Sequence, residues 1–80
     1  MADQEQIAAL VRQGVALAEA GRGADAVAML EQALALAPGE AQLHWLCGTA
    51  ERVAGRPARA IERYRAALAL DPGHAASLGN

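Results

Sequence analysis

His44, Cys47 and Glu51 are the residues of this chain whose types and spacing come nearest to a reactive constellation. On a helix they fall at i, i+3 and i+7, along one face, and imidazole, thiolate and carboxylate are all zinc ligands. No second His or Cys pair completes the set, because Cys47 is the single cysteine and His74 the one other imidazole. The row therefore reads as a small buried thiol with His and Glu at a helix–helix seam, with neither a metal nor a cofactor. A nucleophilic Cys47 would need a base beside it and a depressed pKa, and no such base is placed by the sequence. Gly21-Arg22-Gly23 is no phosphate loop, since no strand precedes it and no Gly-Lys follows. No catalytic residue is assigned, and the chain reads as non-enzymatic.

Arg52, Arg56, Arg59 and Arg63 form a second constellation on successive turns, and with Arg65 they could receive acidic groups. They are read instead as a solvated helix face, with Glu62 paired to Arg59 or Arg65. The formal charge of −2 argues against a general nucleic-acid binder. That charge is uneven: residues 1–40 hold six acids and two arginines, whereas 41–80 hold three acids and five arginines. All basic residues are Arg, which with the Ala and Gly excess suggests a GC-rich, bacterial source. The N-terminus lacks the positive start and apolar core of a secretion signal, and no apolar run is long enough to span a membrane. A cytoplasmic location is expected.

The elements that must carry these residues are helices. Hydrophobic residues make up 54% of the 80, but Ala dominates them and Phe is absent, which suits close helix contact better than a sheet. Asp3 and Gln6 have capping-box spacing, and Ile7, Leu10, Val11, Gly14, Leu17 and Ala18 continue at helical steps to Ala20. Gly21-Arg22-Gly23 breaks that helix. A second runs from about Ala24 to Leu36 with Val27, Leu30, Ala33 and Leu34 as its stripe, ended by Pro38-Gly39. A third spans about Ala41 to Ala54, with Leu43, Leu46, Cys47, Ala50, Val53 and Ala54 on one face. Pro57 opens the fourth, which runs to Leu70 before Asp71-Pro72-Gly73. Residues 75–80 begin a further helix that stops after about one turn. Connections this short make consecutive helices antiparallel hairpins.

The chain repeats itself. Residues 7–40 laid on 41–74 give 13 identities in 34 positions without a gap. Among them are Gly14/Gly48, Gly21/Gly55, Arg22/Arg56, Ala26/Ala60, Ala33/Ala67, Leu34/Leu68 and Pro38/Pro72, while Val27/Ile61 and Leu30/Tyr64 match in kind. The small residues that recur, Gly14/Gly48, Ala26/Ala60 and Ala33/Ala67, are expected where helices approach most closely. A larger residue there should cost roughly 1–3 kcal/mol.

A helix-turn-helix period of this length resembles the tetratricopeptide repeat family. The resemblance rests on Gly48, Gly55, Ala60, Ile61, Tyr64, Ala67, Leu68, Leu70, Asp71 and Pro72, and on their counterparts from Gly14 to Pro38. It implies an all-α fold of antiparallel hairpins stacked as a right-handed solenoid. Residues 1–6 become a lead-in, 7–40 repeat 1, 41–74 repeat 2, and 75–80 the start of a third repeat or a capping helix. The first helix of each repeat departs from the family pattern. Its early aromatic comes one residue late, as Trp45, with His44 in the usual place, and the aromatic expected three residues after the Gly is Leu17 or Glu51.

The resemblance further implies a concave groove, lined by Ala8, Val11, Val15 and Glu19 in repeat 1 and by Gln42, Trp45, Thr49 and Arg52 in repeat 2. A peptide or helix of a protein partner would lie there. Trp45 has two places open to it, the core between repeats or the groove, where it would be an aromatic anchor. The family's carboxylate clamp places Lys and Asn where this chain has Val11 and Val15, so that clamp is not implied. The expected function is a non-catalytic interaction module binding neither nucleic acid nor membrane. The alternatives are an accessory region of a larger bacterial enzyme such as a transferase, or a unit that self-associates through the uncapped last hairpin. With two repeats and part of a third, the outer face of the last hairpin, including parts of Ile61, Tyr64 and Leu68, is expected to be poorly covered.

Overall fold

Each hairpin is set by a glycine that no other residue replaces without strain. Gly21 and Gly55 have φ of 80° and 78°, the left-handed region that L side chains rarely adopt. At the first, the Arg22 N–H donates to the Leu17 carbonyl at 2.8 Å and the Gly21 N–H to the Ala18 carbonyl at 3.0 Å. At the second, Arg56 donates to Glu51 at 2.8 Å and Gly55 to Arg52 at 3.0 Å. Both are Schellman caps, which satisfy the last carbonyls of one helix while turning the chain back for the next. The residues are 34 apart throughout, so the sequence register is a register of backbone hydrogen bonds.

A computed structural model of the chain describes residues 2–73, with side chains from residue 4 onward. The described residues form four helices and no strand: α1 (Ala2–Glu19), α2 (Gly23–Leu36), α3 (Ala41–Val53) and α4 (Pro57–Leu70). The fourth helix has the bounds that Pro57 and Asp71-Pro72 predict. The first begins at Ala2, one position ahead of the Asp3 from which its spacing with Gln6 predicts a start. The expected turn of helix in 75–80 lies outside the described residues.

Helix α2 supplies the larger part of the buried core. It packs on α1 within the first hairpin and on α3 of the second, and α4 packs on α3. Ala26, Val27, Leu30, Ala33 and Leu34 of α2 form the buried core with Leu43, Cys47 and Ala50 of α3. Ile7, Leu10, Val11, Leu17 and Ala18 of α1 lie against it, half-buried.

Close approach explains the small residues. A Cβ on Gly14 would lie 2.7 Å from Leu30 Cγ, and one on Gly48 would lie 2.6 Å from Tyr64 Cε1. Ala26, Ala33 and Ala67 are fully buried and Ala60 nearly so, leaving no room for a longer side chain. Gly23 is a further contact of this kind: a Cβ there would come 2.3 Å from the Ala54 backbone nitrogen, where the start of α2 meets the end of α3. Its counterpart in the second hairpin is Pro57. Sequence alone marks Gly23 as a helix breaker; it is instead the first residue of α2.

Candidate functional site

An apolar groove of about 280 Å³ lies between α1 and α3. Its floor is Leu30 of α2, and its walls are Val15 and Ala18 on one side and Leu46, Thr49 and Val53 on the other. Glu19 is the single charged residue of the lining. Helical geometry produces this arrangement. Steps of about 100° per residue spread the apolar residues of α3 over a wide arc. Leu43, Cys47 and Ala50 occupy the part of that arc buried against α2. Leu46 and Val53 sit at its edge, Leu46 half-buried on the core and Val53 39% exposed. Thr49 Oγ1 donates to the Trp45 carbonyl at 3.2 Å, and so fills one polar valence within its own helix.

The residues expected in a groove from sequence are not all here. Val15, Glu19 and Thr49 line it. Val11 packs half-buried against the core one turn earlier on α1. Gln42 is exposed and lines two shallow depressions near the other end of α3, one against Gln4 and Ile7 and one against Leu70 and Asp71. Arg52 and Ala8 are exposed and outside the lining. Trp45 points toward α4. Its ring centroid is 4.6 Å from that of Tyr64, with the planes tilted at 43°, and Thr49 Oγ1 lies 3.3 Å from the Tyr64 hydroxyl. The ring is half-buried. Ala18, Leu30, Leu46 and Val53 are the lining residues that sequence reasoning assigned to the core. The available signal was the width of the α3 stripe, too broad for one neighbour.

A polar cluster lies elsewhere on the second hairpin. Glu51 is only 1% exposed, and its carboxylate faces Arg56 Nη1 at 3.4 Å and Arg63 Nε at 3.9 Å. Arg63 also reaches back to the first hairpin, where Nη2 meets Glu31 Oε2 at 2.6 Å. Buried carboxylates persist when paired, and Glu51 takes the place that Leu17 fills in the first hairpin. At the Schellman turn the usual apolar contact is thereby replaced by the Glu51–Arg56 ion pair. The arginine row is thus only partly a solvated face: Arg56 and Arg63 are engaged. Glu62, expected to pair with Arg59 or Arg65, makes no ion pair among the described residues.

The His44–Cys47–Glu51 row is dispersed by these contacts. His44 donates from Nε2 to the Pro38 carbonyl at 2.9 Å, and Glu51 is held by arginines. Cys47 is fully buried. Burial pushes its thiol up to about 11, outweighing the opposing pull of Arg63, with Glu31 and Glu51 adding to the rise. That is a core sulfur rather than an activated one. Among the described residues no group of three or more His, Cys, Asp or Glu is placed to hold a metal ion. None of the described helices is long and apolar enough to cross a membrane.

A sequence model of the tetratricopeptide repeat matches residues 11–76. No curated protein matches significantly over the chain, and neither does any solved structure.

Proposed function

The chain belongs to the tetratricopeptide repeat family, whose repeats generally mediate protein–protein interaction without catalysis, and from that premise we propose that it binds a protein partner in the groove between α1 and α3. The observation that carries this reading is the groove's composition: Leu30 as floor, Val15, Ala18, Leu46 and Val53 around it, and Glu19 at its rim. Such a slot takes one apolar side chain of an extended peptide or an amphipathic helix. Glu19 has no ion-pair partner among the described residues, and residues 1–40 carry a net −4. A segment with a leucine-sized anchor next to Lys or Arg is the complement. Amide chemical shifts of the labelled chain, followed as such a peptide is added, test the reading. Shifts gathered on Val15, Ala18, Leu46, Thr49 and Val53 support it, and shifts elsewhere or none sink it.

A second reading, self-association through α4, is favoured by a different observation. Val27 and Leu34 are 4% and 8% exposed, whereas their repeat counterparts Ile61 and Leu68 are 49% and 37% exposed. In the first hairpin α3 covers that stripe. Sedimentation of the chain from micromolar to millimolar concentration tests it, and a monomer throughout refutes it.

A further inference from the structure

The depression between Gln42 and Gln4 belongs to the same seam as the apolar groove. It measures about 210 Å³ and is lined by Gln4 and Ile7 of α1, Ala37 and Glu40 of the α2–α3 connection, and Gln42 and Leu43 of α3. Both cavities thus have α1 for one wall and α3 for the other. Helical phase sets them in line. At steps of about 100° per residue, Gln4 and Val15 point within about 20° of each other on α1, as do Ile7 and Ala18. On α3, Gln42 stands within about 20° of both Thr49 and Val53. The floor passes from Leu30 of α2 to Ala37 just past its end. Val11, half-buried against the core, lies between the two on α1.

Their linings differ. The groove is apolar apart from Glu19 and Thr49. The second depression presents the Gln4 and Gln42 amides and the Glu40 carboxylate, all three on exposed residues. None of these side chains is hydrogen-bonded or ion-paired among the described residues. One carboxylate with two amide oxygens beside it complements the head group of a Lys or Arg. Arg12, the basic residue of α1, stands off the line, about 80° round the helix from Gln4 and about 60° from Val15. It disfavours a further base between the two cavities.

The span is also defined. Gln42 and Thr49 are ~10 Å apart along α3, and Gln4 and Val15 are ~16 Å apart along α1. An extended chain covers such a distance in about three to five residues. Because α1 and α3 touch each other, the seam is narrower than a helix about 10 Å across, and an extended chain is what enters it.

We propose that the partner segment is extended and bipartite: an apolar side chain fills the groove over Leu30, and a Lys or Arg about three to five residues away enters the depression at Gln4, Glu40 and Gln42. The proposal rests on the groove reading and adds a second point of recognition and its spacing.

Blocked peptides with a single leucine, titrated into the labelled chain, separate the two levels. One set carries a lysine about four residues before or after the leucine, a second carries serine there, and a third carries the lysine about twice as far away. In the better-bound chain direction the first set should bind about threefold more tightly than the other two. Its shifts at Gln42 and Leu43 should add to those at Val15, Leu46 and Val53. Glu40→Lys should transfer the preference to a peptide with glutamate in place of that lysine, a reversal that loss of stability does not produce. Equal affinity for all three sets, with shifts confined to the groove, overturns the bipartite proposal and leaves the groove reading standing. Tighter binding of the widely spaced set, or a preference that Glu40→Lys leaves unchanged, overturns it as well. If no peptide moves the groove amides, both fail.

Discussion

Tyr64 lies across Gly48 so closely that a single methyl group on the glycine would meet its ring at 2.6 Å. Leu30 lies across Gly14 in the same way, 34 residues earlier, with 2.7 Å to its Cγ. One contact thus holds both hairpins shut, and the two copies differ in what the large residue does next. Leu30 is buried and forms the groove floor, whereas Tyr64 carries its ring out to Trp45.

Gly48→Ala and Gly14→Ala should therefore each destabilise the fold by about 1–3 kcal/mol, through displacement of the facing side chain. Gly48→Ala should also move the Trp45 emission, because Tyr64 is the residue displaced. Denaturant unfolding followed by Trp45 fluorescence reads both effects. Equal stability and unchanged emission would show that the helices separate more easily than this packing implies.

The remaining glycines should rank by cause. Gly23→Ala drives a methyl into the Ala54 backbone and should be the most damaging. Gly55→Ala meets no atom within 4 Å but must hold φ near 78°, at a cost of roughly 1–2 kcal/mol. Gly39→Ala meets neither obstacle and should be neutral. Melting temperatures of the three variants check the order.

Glu51 and Arg63 should be unequal in mutation. Arg63→Met leaves a buried carboxylate facing only Arg56 at 3.4 Å, and the cost of stranding such a charge is about 3 kcal/mol. Glu51→Leu restores the apolar residue that Leu17 supplies in the first hairpin, and leaves Arg63 its Glu31 partner. It should be near neutral or stabilising. Chemical denaturation of both variants decides, and a Glu51→Leu variant as damaged as Arg63→Met would contradict the account.

Cys47 should make the fold sensitive to alkali. Its thiol ionises near 9 when unfolded and about 11 when folded, so the stabilisation is fully present below pH 9 and is lost as pH rises toward 11. The slope is about 1.4 kcal/mol per pH unit in that window. Cys47→Ala should unfold with a flatter pH dependence there, and the native thiol should resist aromatic disulfide reagents. A rapid reaction at neutral pH would contradict its burial.

What could be read in the sequence was what repeats. Pro57, Gly55 and Asp71-Pro72 mark the ends of α4 without ambiguity, because each acts through its own backbone. The small residues were legible because the same positions stay small in both copies. Glu51 was not: a lone carboxylate reads as exposed, and its partners Arg63 and Glu31 come from two other helices. Trp45 was open between core and groove because a single residue of shift along α3 turns a side chain by about 100°. Leu46 and Val53 read as core because periodicity reports an apolar arc, but not which part of it a neighbouring helix covers.

The claim that the groove selects an apolar anchor beside a basic residue is tested most directly by reversing Glu19. Two blocked peptides share a central leucine, one flanked by lysines and the other by glutamates, and each is titrated into the labelled chain. The parent should bind the lysine-flanked peptide preferentially, with shifts at Val15, Leu46 and Val53, and Glu19→Lys should reverse that preference at the same amides. Equal response to both peptides, or a preference that Glu19→Lys leaves unchanged, would contradict the assignment.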